Sequence, residues 1–238
     1  MGKNVLIIGA SGDIGLAIAK QLASDGFHLL LHFNKHNNGF KSLRENINDE
    51  CILTEIKADL SHVDGIRFLL SQLVFPVDAI IIASGRAHHS LFQDSVEDEM
   101  DEMLTLHVKA PWMIVNHLLP PMIQKKKGTI IFITSIWGDV GASNEVMYSS
   151  VKGAQNSFVK ALAKEVAMSD ISVNAISPGF IDTKMNHHLS EEEKQAIVSH
   201  IPMNRAGSPD EIAHTVRFLM DEKSKYIQGE IININGAW

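Results

Sequence analysis

Cysteine is nearly absent from this 238-residue chain. The single Cys51 excludes an internal disulfide and gives no zinc-ligand spacing, so a reducing cytosol is the expected compartment. Aromatic residues make up only 6%, and just two of them are tyrosines, Tyr148 and Tyr226. No uninterrupted apolar run approaches the roughly 18 residues that a membrane-spanning helix needs. The opening stretch, MGKNVLIIGASGD, lacks the long apolar core of a secretory signal. Excess positive charge is missing too: the formal net charge is −7, which argues against a broad cationic surface for nucleic acid. The one basic run, Lys125-Lys126-Lys127, reads as the C-terminal end of a helix. The histidine pairs His88-His89 and His187-His188 are adjacent in sequence, so their side chains diverge and no metal site is expected.

What the chain does have is 45% hydrophobic residues, enough for a sizeable core, arranged as apolar runs alternating with helical patterns. Strands are expected near Val5–Ile8, Leu29–Phe33, Ile52–Lys57, Asp78–Ala83, Thr129–Thr134, Val173–Ser177 and Glu230–Ile234. Helices are expected near Ile14–Asp25, Ser61–Leu73, Val96–Lys126, Met147–Met168 and Pro209–Met220, with Pro111 dividing or kinking the longest. Ser208-Pro209-Asp210-Glu211 has the composition of a helix start. The strands lack polar alternation, as in a parallel sheet covered on both faces. The expectation is one α/β domain over 1–238, a three-layer Rossmann fold with a doubly wound, seven-stranded parallel sheet. A polar insert at about 182–205 interrupts it as a candidate lid.

Two sets of residues carry chemistry. The first strand runs into Gly9-Ala10-Ser11-Gly12-Asp13-Ile14-Gly15 and then a helix, the arrangement that lets backbone N–H groups approach a pyrophosphate. At the end of the second strand there is no carboxylate between Asp25 and Glu45, whereas Asn34 and Lys35 suit a 2′-phosphate, which favours NADPH over NADH. The second set is Tyr148 and Lys152, four apart on a predicted helix, with Ser135 at the end of the fifth strand. A neighbouring ammonium is expected to lower the phenol pKa, and the serine hydroxyl to hydrogen-bond a carbonyl.

On these residues the chain resembles the short-chain dehydrogenase/reductase family over essentially its whole length. The resemblance rests on Gly9–Gly15, Ala58-Asp59-Leu60, Ala83-Ser84-Gly85, Ser135 with Tyr148 and Lys152, and Ser177-Pro178-Gly179 followed by Ile181 and Thr183. It implies a catalytic Tyr148 acid, a Ser135 that polarises the carbonyl, and a Lys152 that holds the nicotinamide ribose. It also implies that Asp59 meets adenine, that Ser84 and Gly85 line the cofactor's middle, and that Ile181 and Thr183 meet the carboxamide. Leu60, Ala83, Pro178 and Gly179 belong to the same cofactor-lining motifs. Three departures stand out: Asp13 in place of a glycine, Ile82-Ala83 in place of asparagines, and His107 in place of a catalytic asparagine, where a neutral imidazole that titrates near pH 6.5 could anchor a relay water.

Within the family the chain looks most like 3-oxoacyl-[acyl-carrier-protein] reductases. Ser135-Ile136-Trp137-Gly138 and Asn235-Gly236-Ala237-Trp238 look closer still to a bacterial branch proposed to reduce 5-aminopentanone on modified elongation factor P. The expected substrate is therefore a ketone, either a thioester on acyl carrier protein or a protein-borne aminoketone. Met185, His187, His188, Leu189, Met203 and Trp137 are candidates for its mouth, and Lys184 and Arg205 for carrier docking. Glu145 or Asp139 could receive an amine, with Asp139 the preferred candidate. The small residues of Ala154–Ala167 suggest self-association, and the family resemblance a homotetramer with Trp238 near a contact. The rival readings are a non-catalytic NADP-binding sensor on the same fold and a sugar-nucleotide epimerase or dehydratase, which shares the tyrosine-lysine pair but usually carries a longer C-terminal domain.

Overall fold

Branched aliphatic runs form the strands, as β-branched side chains pack well on a pleated, doubly covered surface. The computed structural model describes residues 3–238 apart from Asn48 and His188, and for Asp49 only the backbone. Its strands are β1 (Asn4–Ile8), β2 (His28–Phe33), β3 (Ile52–Lys57), β4 (Ala79–Ile82), β5 (Gly128–Ile133), β6 (Ile171–Pro178) and β7 (Ile231–Ile234). They pair in the order β3-β2-β1-β4-β5-β6-β7, each neighbour parallel. All seven expected strands are present, with ends displaced by at most two residues.

Period-two alternation sends successive side chains to opposite layers. Val5, Ile7, Leu29, Leu31, Ala79 and Ile81 pack on α1 (Asp13–Ser24), on Phe40 and Leu43 of α2 (Asn38–Asn46), and on the last long helix, Pro209–Leu219. Leu6, Ile8, Leu30, Ile80, Ile82 and Phe132 pack on α3 (Val63–Ser71) and on two further helices, Ala110–Lys125 and Val146–Val166. Both faces are covered, giving three layers.

The expected helix over 96–126 is three pieces. α4 (Glu97–Leu104) passes through a π-helical turn, Thr105–Lys109, into α5 (Ala110–Lys125). Pro111 follows that turn. It cannot donate to the carbonyl four residues back, His107, and Gln155 Nε2 donates to that oxygen instead at 2.7 Å. Lys126 closes α5 in the left-handed region, φ 49°, so the lysine run does sit at a helix end. Next come α6 (Trp137–Val140) and α7 (Val146–Val166), then the insert with α8 (Glu191–Ser199), then α9 (Pro209–Leu219). Ser208 caps α9, accepting from Glu211 N–H at 3.3 Å while Glu211 Oε2 accepts from Ser208 N–H at 2.8 Å. Among the described residues no helix is long and apolar enough to cross a membrane, and no group of three or more His, Cys, Asp or Glu side chains is placed to hold a metal ion.

Candidate active site

Strand order reverses between β1 and β4, and a crevice opens there at the C-terminal ends of the strands. The β1–α1 turn is pressed into it. Gly9 has φ +83°, and a Cβ on it would lie 2.6 Å from the Ser84 backbone; one on Gly15 would lie 2.2 Å from Gly9 O. Gly12 is the N-cap of α1 and no side chain caps that helix, so the first-turn amides at the switch point suit an anion such as a diphosphate. Asp13 opens α1 beside those amides. Its Oδ2 accepts from Lys184 N–H at 2.6 Å.

His32 was not singled out from sequence, yet it staples the turn to the sheet. Its Nδ1 accepts from Gly9 N–H at 3.1 Å and its Nε2 lies 3.0 Å from Ala58 O. Burial pushes its pKa down to about 4, so the neutral ring accepts at Nδ1 and donates from Nε2. At the end of β3, Asp59 accepts from Ser61 N–H at 3.0 Å and Ser61 Oγ at 2.7 Å. Burial raises its carboxyl, but those bonds, the His62 charge and the Asn34 amide outweigh it and leave the pKa below the usual value. Asn34 and Lys35 are exposed, whereas the Leu60 side chain is packed in the core, leaving its backbone alone to face a ligand.

At the other end of the crevice Ser135, just past β5, and Tyr148 of α7 line the same cavity, with the Ser135 hydroxyl accepting from Trp137 N–H at 3.3 Å. Lys152, one turn further along α7, places Nζ 5.5 Å from the Tyr148 ring centroid and donates to Ile133 O at 2.9 Å. The expected depression of the phenol is not found. Burial, then the Glu145 charge, push the Tyr148 pKa up despite the opposing influence of the Ser135 hydroxyl, and burial brings Lys152 itself down to about 7.

His107, in the π-helical turn, meets the Tyr148 ring edge-on at 5.8 Å and 90°. Its Nε2 lies 3.3 Å from Arg86 N and 3.2 Å from Arg86 O, while its Nδ1 is buried with no partner. A Cβ on Gly85 would come within 2.8 Å of Cε1, so glycine is what admits the imidazole. Burial, reinforced by the Lys152 charge, lowers the His107 pKa to about 3, which overturns the expectation of titration near pH 6.5.

Around these groups lies a cavity of about 450 Å³. It is bordered by Ile14, Ala83, Ser84, Gly85, Ser135, Tyr148, Lys152, Pro178, Gly179, Ile181 and Thr183, and closed by Met185, Leu189 and Ile197 of the insert. Trp137 and Trp238, 5.0 Å apart between ring centroids, form one wall. Of the two carboxylates weighed for an amine, Glu145 lines the cavity 3.1 Å from His89 Nε2. Asp139, the preferred candidate, is exposed on α6 and lies outside the lining, because that short helix turns it outward. Glu193 of α8 also lines the cavity, while His187 and Met203 do not and His188 lies outside the described residues. Arg205 is held by Glu211 at 2.6 and 2.9 Å, and Lys184 Nζ lies 3.7 Å from Asp13.

The chain belongs to the short-chain dehydrogenase/reductase family of NAD(P)-dependent oxidoreductases: a family model described as enoyl-(acyl carrier protein) reductase matches residues 9–237. Among its relatives is an uncharacterized oxidoreductase of Bacillus subtilis strain 168, YmfI, 47% identical over 100% of this chain and 99% of the relative. The 3-oxoacyl-[acyl-carrier-protein] reductase FabG of Staphylococcus epidermidis RP62A is 31% identical over 100% of this chain and 99% of its own. A crystal structure of a 3-oxoacyl (acyl-carrier-protein) reductase from Agrobacterium tumefaciens C58 with NADP bound superposes with a TM-score of 0.91 at 25% identity, covering 100% of this chain and 94% of that one.

Proposed function

We propose that the protein is an NADPH-dependent ketone reductase, with Tyr148 as the acid, Ser135 as the carbonyl's hydrogen-bond donor, Lys152 as their support and His107 as the anchor of a relay water. The observation that carries this reading is that Ser135, Tyr148 and Lys152 line one cavity at the switch point, with Lys152 Nζ 5.5 Å from the centre of the Tyr148 ring. A carbonyl oxygen placed between the two hydroxyls accepts from both, and as it gains charge it draws the phenol proton. The nicotinamide, when bound, supplies the hydride. Lys152, in its ammonium form, stabilises the phenolate that remains, and the unpartnered Nδ1 of His107 offers a water one hydrogen bond on the path by which Tyr148 regains a proton. Asn34 and Lys35 at the end of β2, and the NADP bound by the Agrobacterium reductase, support NADPH over NADH.

For the substrate, the Glu145 carboxylate in the cavity wall supports an aminoketone borne on a protein over a thioester on acyl carrier protein. The cations weighed for an acidic carrier, Lys184 and Arg205, are engaged by Asp13 and Glu211. An ammonium group near Glu145 would also offset the charge that holds the Tyr148 pKa up, making the phenol a better acid. Loss of NADPH absorbance with a 5-aminoketone, compared with an acetoacetyl thioester, tests both levels. Turnover of the aminoketone is expected to exceed that of the thioester. The reverse order would replace the substrate assignment, and binding of NADPH with no oxidation of it by any ketone would leave the sensor reading.

A further inference from the structure

The turn after β1 and the insert after β6 meet through one carboxylate. Asp13 is the first residue of α1, yet it reaches across 171 positions: Oδ2 accepts from Lys184 N–H at 2.6 Å, and Oδ1 lies 3.7 Å from Lys184 Nζ. Lys184 opens a short 3-10 turn, Lys184–Asn186, steadied by Asn186 Nδ2 donating to Ile181 O at 2.8 Å. The sequence neighbours of both partners, Ile14 on one side and Thr183 and Met185 on the other, border the cavity. The base of the insert is fastened separately, by the Ile181–Gly207 bridge and by Asp182 N–H donating to Gly207 O at 2.9 Å. Its far limb is fastened where Met203 N–H donates to Gly236 O at 3.2 Å. Between these anchors α8 has no buried residue, and it turns Ala196 and Ile197 toward the cavity.

We propose that Asp13 is a positioning residue that latches the leading limb of the insert onto the dinucleotide turn, so that one carboxylate sets both the seating of the flap and the charge met by a diphosphate. A residue without an acceptor at position 13 would leave the Lys184 amide without this tie and free Met185 and Leu189 to move off the substrate end. A diphosphate at the turn would add negative charge beside Asp13, and the Lys184 ammonium is placed to offset both. This second half rests on the reading that a dinucleotide binds at the turn.

Hydrogen exchange on the full chain without cofactor separates the two halves. Asp13→Ala, which keeps a good helix former at the start of α1, is expected to raise exchange at Lys184 and through Lys184–Ser199 by about tenfold or more. Asp13→Asn retains an oxygen for the Lys184 amide and is expected to stay close to the parent chain. In a fluorescence titration, Asp13→Asn is expected to bind NADPH several-fold more tightly, because the like charge is gone. With ketone substrate, Asp13→Ala is expected to raise KM more than it lowers kcat. Unchanged exchange in Asp13→Ala overturns the latch whatever the titration gives. Raised exchange together with a parent chain that fails to bind NADPH upholds the latch and overturns the dinucleotide reading.

Discussion

Tyr148 sits in surroundings that work against it, since burial and Glu145 both hold its proton on. The role proposed for it is therefore sensitive to whatever charge enters the cavity. Tyr148→Phe is expected to cut ketone turnover by roughly 10²–10⁴ while NADPH binding, followed by fluorescence, is retained; normal turnover would remove the phenol from the mechanism. Glu145→Gln is expected to raise KM for an aminoketone and to spare a thioester, a contrast that steady-state kinetics would read directly. His107 stays neutral far below its ordinary range, so His107→Asn is expected to leave the shape of a pH–rate profile between 5 and 8 unchanged even where it lowers the rate. An inflection near 7 is expected from Lys152 instead, and its absence from the profile would contradict that assignment. Ser135, Tyr148 and Lys152 were legible because helical spacing and one strand end place them together. His32, Glu145 and the outward turn of Asp139 were not, because contacts such as those of His32 with Gly9 and Ala58, 23 and 26 positions away, follow from strand register rather than local pattern.

Elements with a strong period were easiest to read. The strands and α1, α7 and α9 fall within two residues of expectation, since their apolar positions must face a layer. The start of α9 is a case where local chemistry alone suffices, and Ser208→Ala is expected to lower stability by about 1 kcal/mol in urea unfolding, by removing the hydroxyl that caps the Glu211 amide. α2 went unread because its Asn-Gly start hides an amphipathic helix with only Phe40 and Leu43 buried. The π-helical turn went unread for a different reason. Pro111 announces a break, but the widened form of that break depends on Gln155 reaching His107 O from another helix, and on Gly85 leaving room for the ring.

At the scale of the molecule, two buried neutral imidazoles contribute to acid sensitivity. The folded pKa values of His32 and His107 are about 4 and about 3, against an ordinary 6.5. The unfolded chain therefore binds the extra protons below pH 6.5, and the stability present above that value is lost toward pH 4. Each imidazole contributes roughly 1.4 kcal/mol per pH unit in that window. Urea midpoints at pH 7 and pH 5 are expected to show the fall, and equal midpoints would contradict it. The homotetramer that the family resemblance implies is tested by light scattering: four times the 26.3 kDa chain mass is expected, and a single-chain mass would exclude it. The pairing of β1 with β4 brings Val5 beside Ala79 and seals the middle of the sheet with a strand made some seventy residues later. Until that stretch leaves the ribosome, Val5–Ile8 presents a bare aliphatic edge, so a translation product cut short before Ala79 is expected to clump with its own kind.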